Sequence, residues 1–209
     1  LLKTSGDVVL DGVPISKLKA KTLARKISYM PQTTQLDTNF TVEQVVGMGR
    51  YPHKSRFASW TNGDTKKVDE ALALTGITHL KDRFVPSLSG GERQLVYLAK
   101  VIAQDTDYIL LDEPTSDLDV YHQVTVTNII HELVRRGKTV IAAIHDINFS
   151  ARICDRCLLL KDGQIIDFDE TDIVLNEDNM VKTFRIDAHI YVEPKTNTKQ
   201  MIPLEVHHD

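Results

Sequence analysis

Two nearly unbroken apolar runs constrain this chain more than any other feature. They are Tyr108-Ile109-Leu110-Leu111 and Thr139-Val140-Ile141-Ala142-Ala143-Ile144. Continuous apolarity over the length of one strand is the pattern of a strand covered on both faces. Between the runs, Asp119 to Arg136 reads as a helix, with Val124, Ile129, Ile130 and Leu133 inward and Gly137 as its stop. Strands that alternate with helices imply an α/β layered fold.

The flanking sequence extends this pattern. Asp7 to Gly12 reads as a short strand ending in an Asp-Gly turn, and Ile27 to Met30 as another, after a basic segment from Lys17 to Lys26. Thr41 can cap a short helix to Met48, on which Val42, Val45 and Val46 share a face. Gly49 to Gly63 reads as irregular. Thr65 to Thr75 is amphipathic and is closed by Gly76. The stretch from Thr33 to Gln104 is therefore mainly helical and stands between strands as an inserted subdomain. Phe149 to Cys154 makes a short helix. Cys157 to Leu160 and Gln164 to Phe168 pair through Asp162-Gly163, and Ala188 to Val206 makes a final hairpin around Pro194 to Asn197.

Composition excludes several classes. An apolar fraction of 42% in 209 residues fits a soluble globular chain, and no apolar run reaches membrane-spanning length. The net charge of -4 argues against nucleic-acid binding as the main activity. With only two cysteines, Cys154 and Cys157, there is no disulfide scaffold. Their spacing matches half a zinc site, but no second pair exists, and buried structural thiols are the simpler reading.

Two places carry chemistry. In Leu88-Ser89-Gly90-Gly91-Glu92-Arg93-Gln94 a polar turn with paired glycines runs straight into an apolar helix. Its bare N–H groups and the helix dipole favour an anion. Many helices begin this way, so the turn alone is weak. Downstream, however, the strand at Tyr108 ends in Asp112-Glu113-Pro114. A phosphate-cradling turn followed by a carboxylate-tipped strand points to nucleotide and magnesium chemistry. His145 ends the next apolar run, and Gln32 follows the strand that ends at Met30. Taken singly, that histidine reads as structural and that glutamine as an ordinary loop residue.

Taken in order, Gln32, Leu88 to Glu92, Asp112-Glu113, Ser116-Asp117-Leu118-Asp119 and His145-Asp146 resemble the motif set of an ATP-binding cassette (ABC) ATPase. They are similar to its Q-loop, signature motif, Walker B with catalytic glutamate, D-loop and switch histidine. The resemblance implies a P-loop NTPase core with an inserted helical subdomain. The core would take residues 1–32 and 105–209, and the subdomain, with the signature motif, residues 33–104. It implies ATP and magnesium as cofactors, Asp112 and Gln32 toward the metal, and Glu113, Gln32 and His145 as catalytic residues. Ser89, Gly90, Gly91, Glu92 and Asp119 would face nucleotide at the interface of a head-to-tail dimer. A transmembrane permease and, indirectly, a substrate-binding protein are the implied partners, with no nucleic acid, at the cytoplasmic face of the membrane.

More narrowly, Thr41 to Val46 with Gly49-Arg50-Tyr51-Pro52-His53, Asp119 to Gln123 and Glu193-Pro194 resemble importers of ferric siderophore, haem and cobalamin. Ferric siderophore is the expected cargo. Tyr51 and Trp60 are candidate anchors for the permease and equally candidates for local packing. There are two departures from the family pattern. Glu92 stands where glutamine is more usual. The phosphate loop G-x-x-x-x-G-K-[ST] does not occur in these 209 residues: Gly137-Lys138-Thr139 has Glu132 where the first glycine belongs and precedes a strand. Since the chain opens on Leu1 without methionine, the expectation is an N-terminal truncation that removes the first strands and the phosphate loop, leaving a weak or inactive ATPase. Two alternatives stay open: an ABC ATPase outside transport, and a degenerate regulatory cassette that does not hydrolyse ATP.

Overall fold

The computed structural model describes residues 5–32, 39–55 and 58–207; the expected subdomain boundary at Thr33 lies outside them. The chain divides into two units, one up to Ala143 and one from Ile144.

The first unit opens on a hairpin of β1 (Val9–Leu10) and β2 (Val13–Pro14). Asp11 and Gly12 both adopt the left-handed backbone (φ 49° and 78°) that a two-residue hairpin turn requires. Then follow α1 (Ala20–Leu23), β3 (Ile27–Met30), α2 (Val42–Gly47), α3 (Asn62–Leu74), α4 (Gly90–Ala103), β4 (Tyr108–Asp112), α5 (Val120–Arg135) and β5 (Thr139–Ala143). The sheet is parallel, in the order β3-β4-β5, with Met30 opposite Leu111 and Asp112 opposite Ala143. This register brings the carboxyl ends of the strands level.

The α/β class follows the sequence, with two corrections. The apolar strands are covered on one face only among the described residues. Met30, Ile109 and Leu111 are buried, whereas Tyr29 and Ile141, on the opposite face, are each 56% exposed. Helices α4 and α5 contact β3 and β5, and the alternation of the pleat turns every second side chain away from the buried side. Val124 is exposed rather than inward. Helix α5 buries Val126, Ile129, Ile130 and Leu133, and Val124 lies about 200° round the helix from Val126.

Helices α2, α3 and α4 pack on one another. Each begins with a reciprocal capping box: Thr41 with Gln44, Thr61 with Asp64, and Ser89 with Glu92. The cap at Thr61 starts α3 at Asn62, ahead of the Thr65 read from its apolar residues. The segment read as irregular contains a 3₁₀ helix, Met48–His53, docked on the C-terminal end of α4. A Cβ at Gly49 would overlap the Lys100 carbonyl, so only glycine permits this approach. Arg50 Nη1 donates to the Ala103 carbonyl at 2.6 Å. His53 Nε2 lies 2.7 Å from the Gln104 carbonyl, and Gln104 Nε2 donates to the Ala24 carbonyl at 2.7 Å.

The second unit holds α6 (Ile147–Ile153), β6 (Arg156–Lys161), β7 (Gln164–Glu170), α7 (Thr171–Val174), α8 (Glu177–Phe184), β8 (Ile186–Glu193) and β9 (Thr198–Val206). Both expected hairpins form, β6 with β7 and β8 with β9, through left-handed Asp162-Gly163 and Asn197. Its core gathers Leu159, Val174, Leu175, Met180 and Ala188. Cys154 and Cys157 are free and partly buried. Burial, and to a lesser degree Cys157, pushes the Cys154 thiol up to about 11, so it stays protonated at neutral pH. Among the described residues no group of three His, Cys, Asp or Glu could hold a metal.

In the first unit, Asp64 is buried and accepts from Lys54 Nζ at 2.8 Å, Thr61 Oγ1 at 2.7 Å and Arg50 Nε at 3.3 Å. The Lys54 ammonium, followed by the Thr61 hydroxyl, holds its carboxyl well below the usual carboxylate range. A depressed carboxylate stabilises the fold above its unfolded value near ~3.9, and that contribution is lost as pH falls further. Asp64→Asn leaves Arg50 and Lys54 without their counter-charge and should cost about 3 kcal/mol at neutral pH in urea unfolding. The variant's deficit should shrink as the pH drops below about 4, where Asp64 of the unfolded chain takes up a proton while the folded carboxylate stays charged. Equal stability of the two proteins at neutral pH would contradict this assignment.

Candidate active site

Strand β4 delivers Asp112 at its carboxyl end, and the next residue leaves the strand sharply. Glu113 has φ 46°, a left-handed backbone that a non-glycine residue keeps only where its surroundings impose it. Three hydrogen bonds do so. Its N–H donates to the Ala143 carbonyl at 3.0 Å, which extends the pairing of β4 with β5. Its carbonyl accepts from Ser116 N at 3.2 Å and Ser116 Oγ at 3.0 Å. The turn therefore splits the two adjacent carboxylates.

Each carboxylate meets a residue from β3 or the loop after it. Gln32 Nε2 donates to Glu113 Oε2 at 2.8 Å. Tyr29 Oη donates to Asp112 Oδ2 at 3.1 Å, and this bond raises the phenol above its ordinary range. Buried Gln94, one turn into α4, donates from Nε2 to the Pro114 carbonyl at 3.2 Å and so ties α4 to the same turn.

The second cluster lies at the N-terminus of α4. Ser89 and Gly90 are exposed. Ser89 N donates to Glu92 Oε2 at 2.8 Å and Glu92 N to Ser89 Oγ at 3.3 Å. The Ser89 backbone N–H, then its side chain, lowers the Glu92 carboxyl. Asp119 caps α5 by accepting from the His122 N–H at 2.9 Å and lies 2.8 Å from His122 Nδ1. These bonds, the backbone one first, lower the Asp119 carboxyl. The His122 ring in turn abuts Gly91.

Of the residues expected at the site, Gln32, Asp112 and Glu113 come together at the strand ends. Ser89, Gly90, Gly91, Glu92 and Asp119 gather around the start of α4. His145 belongs to the second unit, exposed, immediately before Asp146, which caps α6 through the Phe149 N–H at 2.9 Å. Sequence reasoning missed Tyr29, Gln94 and His122 as members of these clusters. Signals existed for all three: Tyr29 alternates with buried Ser28 and Met30, Gln94 is polar at the start of an apolar helical run, and His122 stands three residues after a cap. None of these signals names its partner.

The parallel strand tipped by Asp112 and Glu113 and the glycine-paired start of α4 occur in one α/β unit, and comparisons with known proteins give its family. The family model described as ABC transporter matches residues 1–116, and the chain belongs to that family. It is 38% identical over 205 residues to the petrobactin import ATP-binding protein FpuD of Bacillus anthracis, covering 97% of this chain and 75% of that protein. It is 39% identical over 202 residues to the cobalamin import ATP-binding protein BtuD of Halobacterium salinarum, covering 96% of this chain but only 50% of the relative. Among solved structures, a metal-chelate type ABC transporter in an inward-facing conformation aligns with TM-score 0.79 and 32% identity, over 86% of this chain and 72% of that one. The dimeric cassette MJ0796, bound to ADP and Pi in a post-hydrolysis state, aligns with TM-score 0.68 and 28% identity, over 80% and 74%. The fold is thus that of an ATP-binding cassette.

The bond between Tyr29 and Asp112 gives the strand-end cluster an optical reporter. Asp112→Asn removes the negative charge and should bring the Tyr29 phenol down toward the ordinary value of about 10. Ultraviolet difference titration, with Tyr29→Phe to assign the signal, checks it. An unmoved phenol would show that the two side chains do not meet.

Proposed function

We propose that this chain is the ATP-hydrolysing part of an ABC importer subunit for ferric siderophore, within a group that also serves haem and cobalamin. The observation that carries the reading is the Gln32 to Glu113 hydrogen bond at the strand ends, beside Asp112 and with Glu113 held in a strained backbone. The cargo rests on the petrobactin and cobalamin relatives and on the Gly49 to His53 segment. Residues 33–104 act as the helical subdomain, supported by the mutual packing of α2, α3 and α4. Residues 1–32 and 105–209 act as the nucleotide core.

The donor set suits magnesium. Two carboxylates and an amide oxygen are hard ligands, too few for a closed cage, and magnesium keeps waters and takes phosphate oxygens. Asp112 would hold the ion. Gln32, with Nε2 given to Glu113, offers its Oε1. Bound magnesium ATP supplies the transferable γ-phosphoryl group and its charge-neutralising cation. Glu113 then orients the attacking water and accepts its proton, and Gln32 fixes the Glu113 carboxylate for that work. His145 would contact the γ-phosphate. The Gly90 and Gly91 N–H groups and the Ser89 hydroxyl, with Glu92 ordering the turn through the Ser89 N–H, would receive the γ-phosphate of nucleotide held by a second copy, with Asp119 at that interface.

No helix among the described residues is long and apolar enough to cross a membrane. In keeping with the import ATP-binding relatives, a permease would provide the path for cargo, with the subunit peripheral at the cytoplasmic face and a substrate-binding protein acting indirectly.

The 209 residues contain no G-x-x-x-x-G-K-[ST]. Tested alone, they should turn over ATP weakly, and a version carrying a phosphate loop ahead of β1 should gain turnover. In that version Glu113→Gln should lower hydrolysis by about a hundredfold or more while ATP binding persists. Full turnover with Glu113→Gln would remove Glu113 from the mechanism. No hydrolysis in the loop-bearing version would favour a regulatory cassette. Co-purification with ribosomes or DNA instead of a permease would favour an ABC ATPase outside transport.

A further inference from the structure

The two glycines of the Ser89 to Glu92 turn meet different surroundings. A Cβ at Gly90 would find nothing within 4 Å. A Cβ at Gly91 would lie 2.6 Å from His122 Cγ and Nδ1 and 2.7 Å from Cδ2. These atoms belong to the root of the imidazole, which moves only if the whole ring swings. The ring is anchored on its other side, with Nδ1 2.8 Å from Asp119 Oδ1 and the His122 N–H donating to the same oxygen at 2.9 Å. Tyr121 packs edge-on against it, with ring centroids 5.3 Å apart. Next to the ring opens a pocket of about 440 Å³, bordered also by His79, Glu92, Tyr121 and Thr125. Space to swing therefore exists, and the tie to Asp119 opposes the swing.

We infer that His122 is the positioning residue of the Ser89 to Glu92 turn. Its imidazole, tied to Asp119, is the wall against which Gly91 closes, and it sets the direction of the turn's N–H donors. The functional half of this inference rests on the reading that the turn binds phosphate. Gly90 is exposed with open space at its Cα, while Gly91 lets a ring from another helix reach the turn backbone. The same ring connects the turn to Asp119. That residue ends the loop whose first residue is Glu113, so the strand-end cluster and the turn share one mechanical connection.

The test is a double-substitution cycle in the 209-residue chain, read by amide hydrogen exchange at Glu92 and Arg93 and by the thermal unfolding midpoint. Gly91→Ala should speed exchange at these amides by about tenfold when His122 is present, and by less than about twofold in the His122→Ala background. Equal acceleration in both backgrounds would overturn the inference. If Gly91→Ala fails to fold alone but folds together with His122→Ala, the coupling is established by that rescue. If neither folds, the ring is not the obstacle and the inference falls.

A second measurement addresses function, in the loop-bearing version. His122→Ala should raise the half-saturating magnesium ATP concentration by about tenfold with an unchanged unfolding midpoint. His122→Asn, which can still donate to Asp119, should recover most of it. Parallel losses in the two variants would assign His122 to packing only. Absence of hydrolysis with native His122 would count against the ATPase reading and leave the exchange result standing on its own.

Discussion

The parallel pairing of β4 between β3 and β5 is the interaction on which the remaining arrangement depends. Its register sets Met30 against Leu111 and Asp112 against Ala143. Two residues beyond Met30 comes Gln32, and one beyond Asp112 comes Glu113. Because parallel strands end together, residues 81 positions apart in the chain arrive within hydrogen-bond reach. A slip of one residue would turn Asp112 to the buried face and dissolve the cluster. The buried row of Met30, Ile109 and Leu111 opposes such a slip, since it would be exchanged for the opposite row, which carries Tyr29 and Asp112.

Helix α4 is the second organising element. At its N-terminus is the Ser89 to Glu92 turn. One turn further in, Gln94 reaches the Pro114 carbonyl. At its C-terminus, the Ala103 and Gln104 carbonyls receive Arg50 and approach His53 from the 3₁₀ segment. One rigid body therefore touches the strand-end turn, the glycine-paired turn and the segment that resembles an importer's permease-facing region. A rod tied at three points transmits a displacement at one of them to the others.

Local features were legible in the sequence. Thr41 and Asp119 announce helix starts, Asp162-Gly163 and Asn197 announce hairpin turns, and the apolar runs announce β4 and β5. The order of short motifs was legible too, and it led to the family before any geometry was known. Readings that needed a partner failed. An apolar run permits cover on both faces but does not supply it, so the open face with Tyr29 and Ile141 went unread. Hydropathy points Val124 inward, but its helical phase sets it outside. Polar contacts such as Arg50 to Asp64, Gln94 to Pro114 and Tyr29 to Asp112 join residues 14 to 83 positions apart. Composition and spacing do not encode such pairs.

In the proposed function, Gln32, Asp112 and Glu113 form one cation-and-phosphate site at the strand ends. Titrating the chain with manganese ATP while recording amide resonances tests it most directly, because the paramagnetic ion broadens what lies beside it. The Asp112 and Glu113 backbone amides and the Gln32 side-chain amide should broaden first. If these stay sharp while the resonances of another acidic stretch, such as Asp167 to Glu170, broaden in their place, the strand-end site is wrong.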